Sequence, residues 1–116
     1  MGPNCILFGW SRPIAGREKM SQEHFGDFNS YLTGLQKEGR IESYDTVFLA
    51  AHGGDLNGFF LIRGDRGKLD EVVSSVEWVT HVTRAAMHLE GFGAVRGHTG
   101  DMIQEMFGIW SKTIPA

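Results

Sequence analysis

Cysteine is almost absent from the chain, since Cys5 is the single one among 116 residues. An internal disulfide and a cysteine-rich metal site are therefore excluded. Cys5 opens an apolar run, Cys5–Trp10, that is too short for the hydrophobic region of a signal peptide. No run approaches the roughly 20 apolar residues that a membrane-spanning helix needs. We therefore expect a cytoplasmic protein.

An excess of basic residues is also lacking, because 11 Lys and Arg stand against 14 Asp and Glu, for a net charge of -3. Without a basic stripe, nucleic acid is not an expected partner. The sequence has no nucleophile elbow, no phosphate-binding loop and no spacing typical of metal ligands. We accordingly expect neither a cofactor nor a metal. The hydrophobic fraction of 41% is ordinary for one globular domain of this length.

Two apolar runs, Thr46–Ala51 and Gly58–Arg63, flank a short segment rich in Gly, Asn and Asp. In the first run Val47 and Phe48 have opposite parity, yet both are apolar. A strand with water on one face alternates between apolar and polar residues, and these runs do not. The pattern predicts a β-hairpin whose strands are covered on both faces.

The remaining periodicity predicts a strand, a helix, two consecutive helices, a strand and a terminal helix. Helix caps and glycine stops set the expected bounds. These elements are a strand at Cys5–Trp10, a helix capped by Ser21 and stopped by Gly39, helices from Lys68 and from Ser75 to Leu89 with a break near Ser74, a strand at Phe92–Thr99, and a helix capped by Thr99 or Asp101.

The resulting order, β-α-β-β-α-β plus a terminal helix, predicts an α+β ferredoxin-like domain with a four-stranded antiparallel sheet. Its two crossover helices cover one sheet face only. The other face would carry large apolar side chains that a monomer rarely exposes to water. We therefore expect residues 1–116 to form a single domain that makes a homodimer through this uncovered face, which we call the inner sheet face.

Three stretches are similar to YCII-related domains: Leu35 to Ile41, Gly58 to Ile62, and Leu69 to Val73. Together with the element order, the chain resembles the dimeric α+β barrel superfamily, which includes antibiotic-biosynthesis monooxygenase-like and YCII-related members. The resemblance implies a homodimeric α+β barrel that binds, and in some members transforms, a small molecule. It leaves a monooxygenase-type enzyme, cofactor-free or haem-degrading, as one alternative. A non-catalytic regulatory or structural dimer is the other.

The haem-degrading alternative depends on Trp78 and on the sequence Ala85 to His88 that follows it. This spacing is similar to the helix of haem-degrading monooxygenases of the same superfamily, which use an Asn, a Trp and a helical His. The Asn is expected near the end of the first strand, where this chain has Trp10 and Ser11. On the same helix Glu77 and His81 are four residues apart, which predicts a pair of exposed side chains on one face, with a metal-ligating pair as the alternative.

The last predicted strand supplies the expected catalytic residues, Arg96 and His98. Its glycines have one parity, whereas Arg96 and His98 share the other with Phe92. Glycines in a strand favour close approach of another backbone, so we expect a helix on their side. Arg96 and His98 would then face the interior and hold a small anionic or carbonyl ligand. The alternative is that both lie in water at the strand end.

Four further residues are expected to bind the ligand. Trp10 and Phe92 would form apolar walls of the pocket, and Arg63 would join Arg96 beside the ligand. His52 would lie at the rim, although the residues around it are also typical of a plain turn.

Overall fold

The computed structural model describes residues 2–116, which form four helices and six strands. In chain order they are β1 (Cys5–Trp10), β2 (Arg12–Pro13), α1 (Glu18–Lys37), β3 (Ser43–Phe48), β4 (Gly58–Arg63), α2 (Arg66–Val73), α3 (Val76–His88), β5 (Leu89–Glu90), β6 (Gly93–Gly97) and α4 (Met102–Thr113).

The main sheet is antiparallel, with the strand order β3-β4-β1-β6. Strands β2 and β5 form a separate two-stranded ribbon that the sequence did not predict. The α+β ferredoxin-like fold with an additional C-terminal helix is therefore confirmed. Within residues 2–116, no helix has both the length and the apolar character needed to cross a membrane.

The two faces of the main sheet differ in what covers them. Helices α1 and α3 pack on the helix-covered face, where Phe8 stacks on Phe28 with ring centroids 4.1 Å apart. Strand alternation and pairing place Leu7, Phe59 and Leu61 on the opposite side, which we call the open face. The predicted arrangement of one covered and one apolar uncovered face is present in the protomer.

Strand β3 lies three residues earlier than predicted. It pairs with β4 from Ser43 opposite Arg63 to Phe48 opposite Gly58, so residues 49–51 belong to the hairpin loop. The strand is also at the sheet edge and largely exposed, with Asp45 and Thr46 in water. The expected cover on both faces of β3 is therefore not present within one protomer.

Helix boundaries agree with the pattern except at the caps. Helix α1 begins at Glu18, so Ser21 lies inside the first turns and is not a cap. The predicted break between the second and third helices is present, but Ser75 caps α3 by accepting a hydrogen bond from the backbone N–H of Trp78. Gly39 ends the α1 segment with φ 72°, a value that favours glycine.

Helix α4 stands apart from this core. None of its residues is buried, although its apolar side chains are spaced as in an amphipathic helix. The radius of gyration is 15.9 Å, above the roughly 13 Å of a compact domain of this length. The apolar stripe of α4 therefore has no protein surface to cover within one protomer.

Candidate binding pocket and histidine chain

A cavity of about 240 Å³ lies between α1 and the helix-covered face of the sheet. We call it the aromatic pocket, because six aromatic rings line it: Phe8, Trp10, Phe25, Phe28, Phe48 and Phe60. Polar side chains reach it mainly from one side, from Glu18, Ser21 and Gln22, joined by His24 and His88. An apolar cavity with a few polar groups on one wall is the usual form of a small-molecule site.

Glycine at position 58 allows the pocket its shape. Gly58 lies opposite Trp10 in the ladder between β4 and β1. A Cβ at Gly58 would lie 2.6 Å from Cζ2 of the Trp10 indole. The indole therefore rests directly on the backbone of β4, in edge contact with Phe48 at a centroid distance of 6.3 Å.

Three histidines and a serine form a continuous line of hydrogen bonds beside the pocket, which we call the histidine chain. Ser21 Oγ is 2.7 Å from Nδ1 of His88. Nε2 of His88 is 2.7 Å from Nδ1 of His24. Nε2 of His24 is 3.0 Å from Nδ1 of His81. Both nitrogens of His24 and of His88 are thus engaged within the chain.

The packing of α1 against α3 brings these residues together. His24 lies on the buried stripe of α1, four residues before Phe28, and Ser21 precedes it by about one turn. His81 and His88 are seven residues apart, on one face of α3. His24 and His88 are only 3% and 2% exposed, so these imidazoles are parts of the core.

Burial keeps these imidazoles neutral. It lowers the pKa of His24 from 6.5 to about 4, with the positive charge of Arg84 as the second cause. The pKa values of His81 and His88 are also lowered, first by burial and then by Arg84. Asp27 opposes this effect at His24 and His81, and its carboxylate accepts a 2.9 Å hydrogen bond from Arg84.

No set of His, Cys, Asp or Glu side chains in residues 2–116 is arranged to hold a metal ion. The histidine nitrogens face one another in pairs along a line, whereas a metal site needs them to converge on one point. The arrangement is suited instead to moving protons, because each neutral imidazole can donate at one nitrogen and accept at the other.

The structure places Arg96 on the helix-covered face, not on the open face that was expected. Arg96 is opposite Ile6 in the sheet, and its guanidinium donates to Asp70 of α2 at 3.0 Å. Gly93 and Gly97 of β6 lie on the open face instead. Within residues 2–116, Arg96 Nε and His98 Nε2 are buried nitrogens without a hydrogen-bond partner. A ligand role for Arg96 and His98 stays a prediction.

Of the other predicted ligand residues, the aromatic pocket includes only Trp10. Phe92 packs against Phe8, with centroids 4.7 Å apart. Arg63 donates to Asp45 across the open face at 2.6 Å, and so lies on the opposite side of the sheet from Arg96. His52 accepts a hydrogen bond from the backbone N–H of Gly54 within its own loop, the turn structure named as its alternative.

Sequence reasoning missed Ser21 and His24, and it considered His81 and His88 for other roles. A signal for His24 was present, because it has helical spacing with Phe28 and Leu32 on the buried stripe. A polar residue on an apolar stripe indicates a buried hydrogen-bonded group. No signal pointed to contact between His24 on α1 and the histidines of α3, which lie 57 and 64 residues away.

Comparison with known proteins supports the fold alone. No family model and no curated protein matches the chain. One solved structure, a dimeric protein of unknown function and ferredoxin-like fold from Bacteroides fragilis NCTC 9343, is similar with a TM-score of 0.59 and 11% sequence identity. The match covers 85% of this chain and 98% of that one. The comparisons thus give no support to the monooxygenase or YCII-related resemblance.

Proposed function

We propose that this protein binds a small, largely apolar molecule in the aromatic pocket. The observation that carries the proposal is a 240 Å³ cavity lined by six aromatic rings, with the histidine chain on one wall. The sequence predicted a ligand on the inner sheet face, whereas this pocket lies on the helix-covered side. Its volume suits a molecule of one or two rings.

The open cavity favours binding over a purely structural role. A structural domain would gain by filling such a space, because interiors are packed about as densely as organic crystals. Here the space is left unfilled, although Trp10 and the exposed ring of Phe48 both line it. Buried histidines at its wall would add polar groups that a merely structural core does not need.

We further propose that the protein works as a homodimer through the open face. Leu7, Phe59 and Leu61 form neighbouring rows there with Val47 and Val95. Such a patch is typical of a protein interface. The similar protein from Bacteroides fragilis is dimeric. Helix α4, which buries nothing in its own protomer, is a second surface that the other copy would cover.

The binding proposal is tested with 2-naphthol, a two-ring fluorescent molecule of suitable size. Its fluorescence polarisation should rise to saturation as the protein is added. Phe48→Ser should weaken binding about fivefold to tenfold, because an aromatic pair contributes about 1 kcal/mol beyond the area that it buries, and about 1.4 kcal/mol corresponds to a tenfold change in affinity. Phe48 is 69% exposed, so this change leaves the core intact.

Leu49→Ser is the matched control. Leu49 follows Phe48 and is also exposed, but it does not line the pocket. The control should bind the probe as the unchanged protein does. No saturable binding, or equal weakening by both changes, would refute the proposed pocket.

A further inference from the structure

We propose that the histidine chain is a proton relay, which takes a proton from an acidic hydroxyl group of the pocket ligand and delivers it to His81. The ligand class is therefore a small apolar phenol or enol. This inference rests on the proposed function, because it needs a ligand in the aromatic pocket. Its first support is that Ser21, His24 and His88 line the pocket, whereas His81 lies beyond it.

The hydrogen-bonding capacity of the histidine chain leaves a single point at which the proton of a ligand can enter. His24 and His88 each use both ring nitrogens within the chain, so neither has one left for a ligand. A serine hydroxyl offers one donor and two acceptor positions, and Ser21 spends one of these on His88. A ligand hydroxyl would therefore bind at Ser21 Oγ.

The histidine chain can act as a relay because its three hydrogen bonds can all be donated in either of two directions. In the first, Ser21 donates to His88, His88 donates to His24, and His24 donates to His81. In the second, every hydrogen bond is reversed, so that His81 donates to His24 and the chain ends with His88 donating to Ser21. Both directions satisfy all three hydrogen bonds with neutral imidazoles.

One passage of a proton converts the first direction into the second. The ligand O–H bond breaks and its proton joins Ser21 Oγ, whose own proton moves to Nδ1 of His88. The Nε2 proton of His88 moves to Nδ1 of His24, and the Nε2 proton of His24 moves to Nδ1 of His81. The ligand is left as an anion, His81 becomes an imidazolium that releases a proton to water, and no electrons are transferred.

Burial and the positive charge of Arg84 lower the pKa of His81, which favours release of its proton to water, whereas the carboxylate of Asp27 raises that pKa. Arg84 of α3 and Asp27 of α1 form an ion pair beside His24 and His81, and Glu18 of α1 lines the pocket. Lowered pKa values keep all three imidazoles neutral near pH 7, as a relay requires. Partly exposed His81 is the member from which water can take the proton.

The relay is tested with the same probe, because the hydroxyl of 2-naphthol becomes strongly acidic when the molecule is excited. Naphthol and its anion emit at different wavelengths, so their ratio reports proton transfer inside the pocket. Polarisation measures binding in the same sample. With protein in excess at pH 7, the bound probe should emit mainly as the anion.

Two variants interrupt the chain at opposite ends. Ser21→Ala removes the entry and His81→Gln removes the exit, since an amide cannot take up and release a proton as an imidazole does. Each should lower the anion share of emission at least about threefold, measured at a protein concentration at which the polarisation shows that the probe is bound. Ser30→Ala, an exposed serine on the same helix, should leave the ratio unchanged.

The effect of His81→Gln separates a relay from a single base. If only Ser21 and His88 took the proton, this distant change would leave the emission ratio as it was. Bound probe that emits as neutral naphthol, or a ratio unaffected by His81→Gln, would overturn the relay but not the pocket. Failure of the probe to bind would count against both.

Discussion

At the scale of single residues, His24, which lies between α1 and α3, combines deep burial with hydrogen bonds at both ring nitrogens. Protonation of His24 is opposed by burial of the charge and by the positive charge of Arg84, and not by loss of a hydrogen bond, because the neutral imidazole at each of its nitrogens can accept from it. His88 has the same arrangement, which leaves no free nitrogen for the haem iron that the resemblance implied.

His24 should make the fold sensitive to acid. Its pKa is 6.5 in the unfolded chain and about 4 in the folded one, so the unfolded state binds the proton first as the pH falls. The contribution of neutral His24 to the free energy of unfolding is fully present above pH 6.5 and is progressively lost between pH 6.5 and 4. The loss attributable to His24 approaches about 3 kcal/mol, from 1.36 kcal/mol per pKa unit.

Urea unfolding at pH 7 and at pH 4.5 measures this loss, with His24→Leu for comparison. The two proteins differ only at this position, so the difference between their pH dependences reports His24 together with its hydrogen bonds to His88 and His81. The variant should lose less stability over this interval. Equal losses in the two proteins would show that His24 does not resist protonation in the fold.

At the scale of elements, α4 is the helix whose apolar side chains remain uncovered in a single protomer. Phe107 and Trp110 are 61% and 57% exposed, and their rings lie 5.2 Å apart on one side of the helix. Isolated helices of about this length are only marginally stable in water, and most helices owe their stability to tertiary packing. A second copy of the chain is the surface that we propose for α4.

Replacing both Phe107 and Trp110 by Ser should weaken dimerisation about tenfold or more. Aromatic side chains at the centre of an interface commonly contribute over 1 kcal/mol each. Light scattering over a dilution series measures the change. The matched control replaces Gln104 and Lys112 of the same helix by Ser, and it should dimerise normally. If both pairs behave alike, α4 is not part of the interface.

At the scale of the whole molecule, we expect the apolar open face to be covered by a second protomer. A sheet covered by helices on one side leaves its other apolar side for a partner. Leu7, Phe59 and Leu61 are half-buried even within one protomer. Burial against a second sheet gains about 25 cal/mol per Å² of apolar surface, which exceeds the association cost only for a large interface.

Phe59→Asp should therefore yield a folded monomer. The charge would be unpaired in a dimer interface, at a cost of several kcal/mol, but solvated on the open face of a monomer. Light scattering at micromolar concentration should give a mass near 12.9 kDa for the variant and twice that for the unchanged chain. Ser30→Asp, on the outer side of α1, is the control and should remain dimeric. A monomeric unchanged chain would refute the open face as an interface.

The amino-acid sequence by itself determined the order of the helices and of the four main-sheet strands and, through it, the ferredoxin-like fold. Periods of 2 and 3.6 residues are local properties, so runs such as Gly58–Arg63 predict their own structure. The caps and the edge strand β3 were less accurate, because neighbours in space decide which residues join a ladder. For β6, the alternation of residues along the strand placed Arg96 and the glycines on opposite faces of the sheet. It did not determine which of these faces packs against α2.

Only the tertiary structure decided where the candidate site lies. Ser21 and His24 contact the histidines of α3 across more than 50 residues of chain, and no local pattern records that distance. The pocket likewise depends on Trp10 lying over Gly58, which belong to different strands. Periodicity tells which side of an element is buried, whereas the packing of two elements decides which buried groups meet.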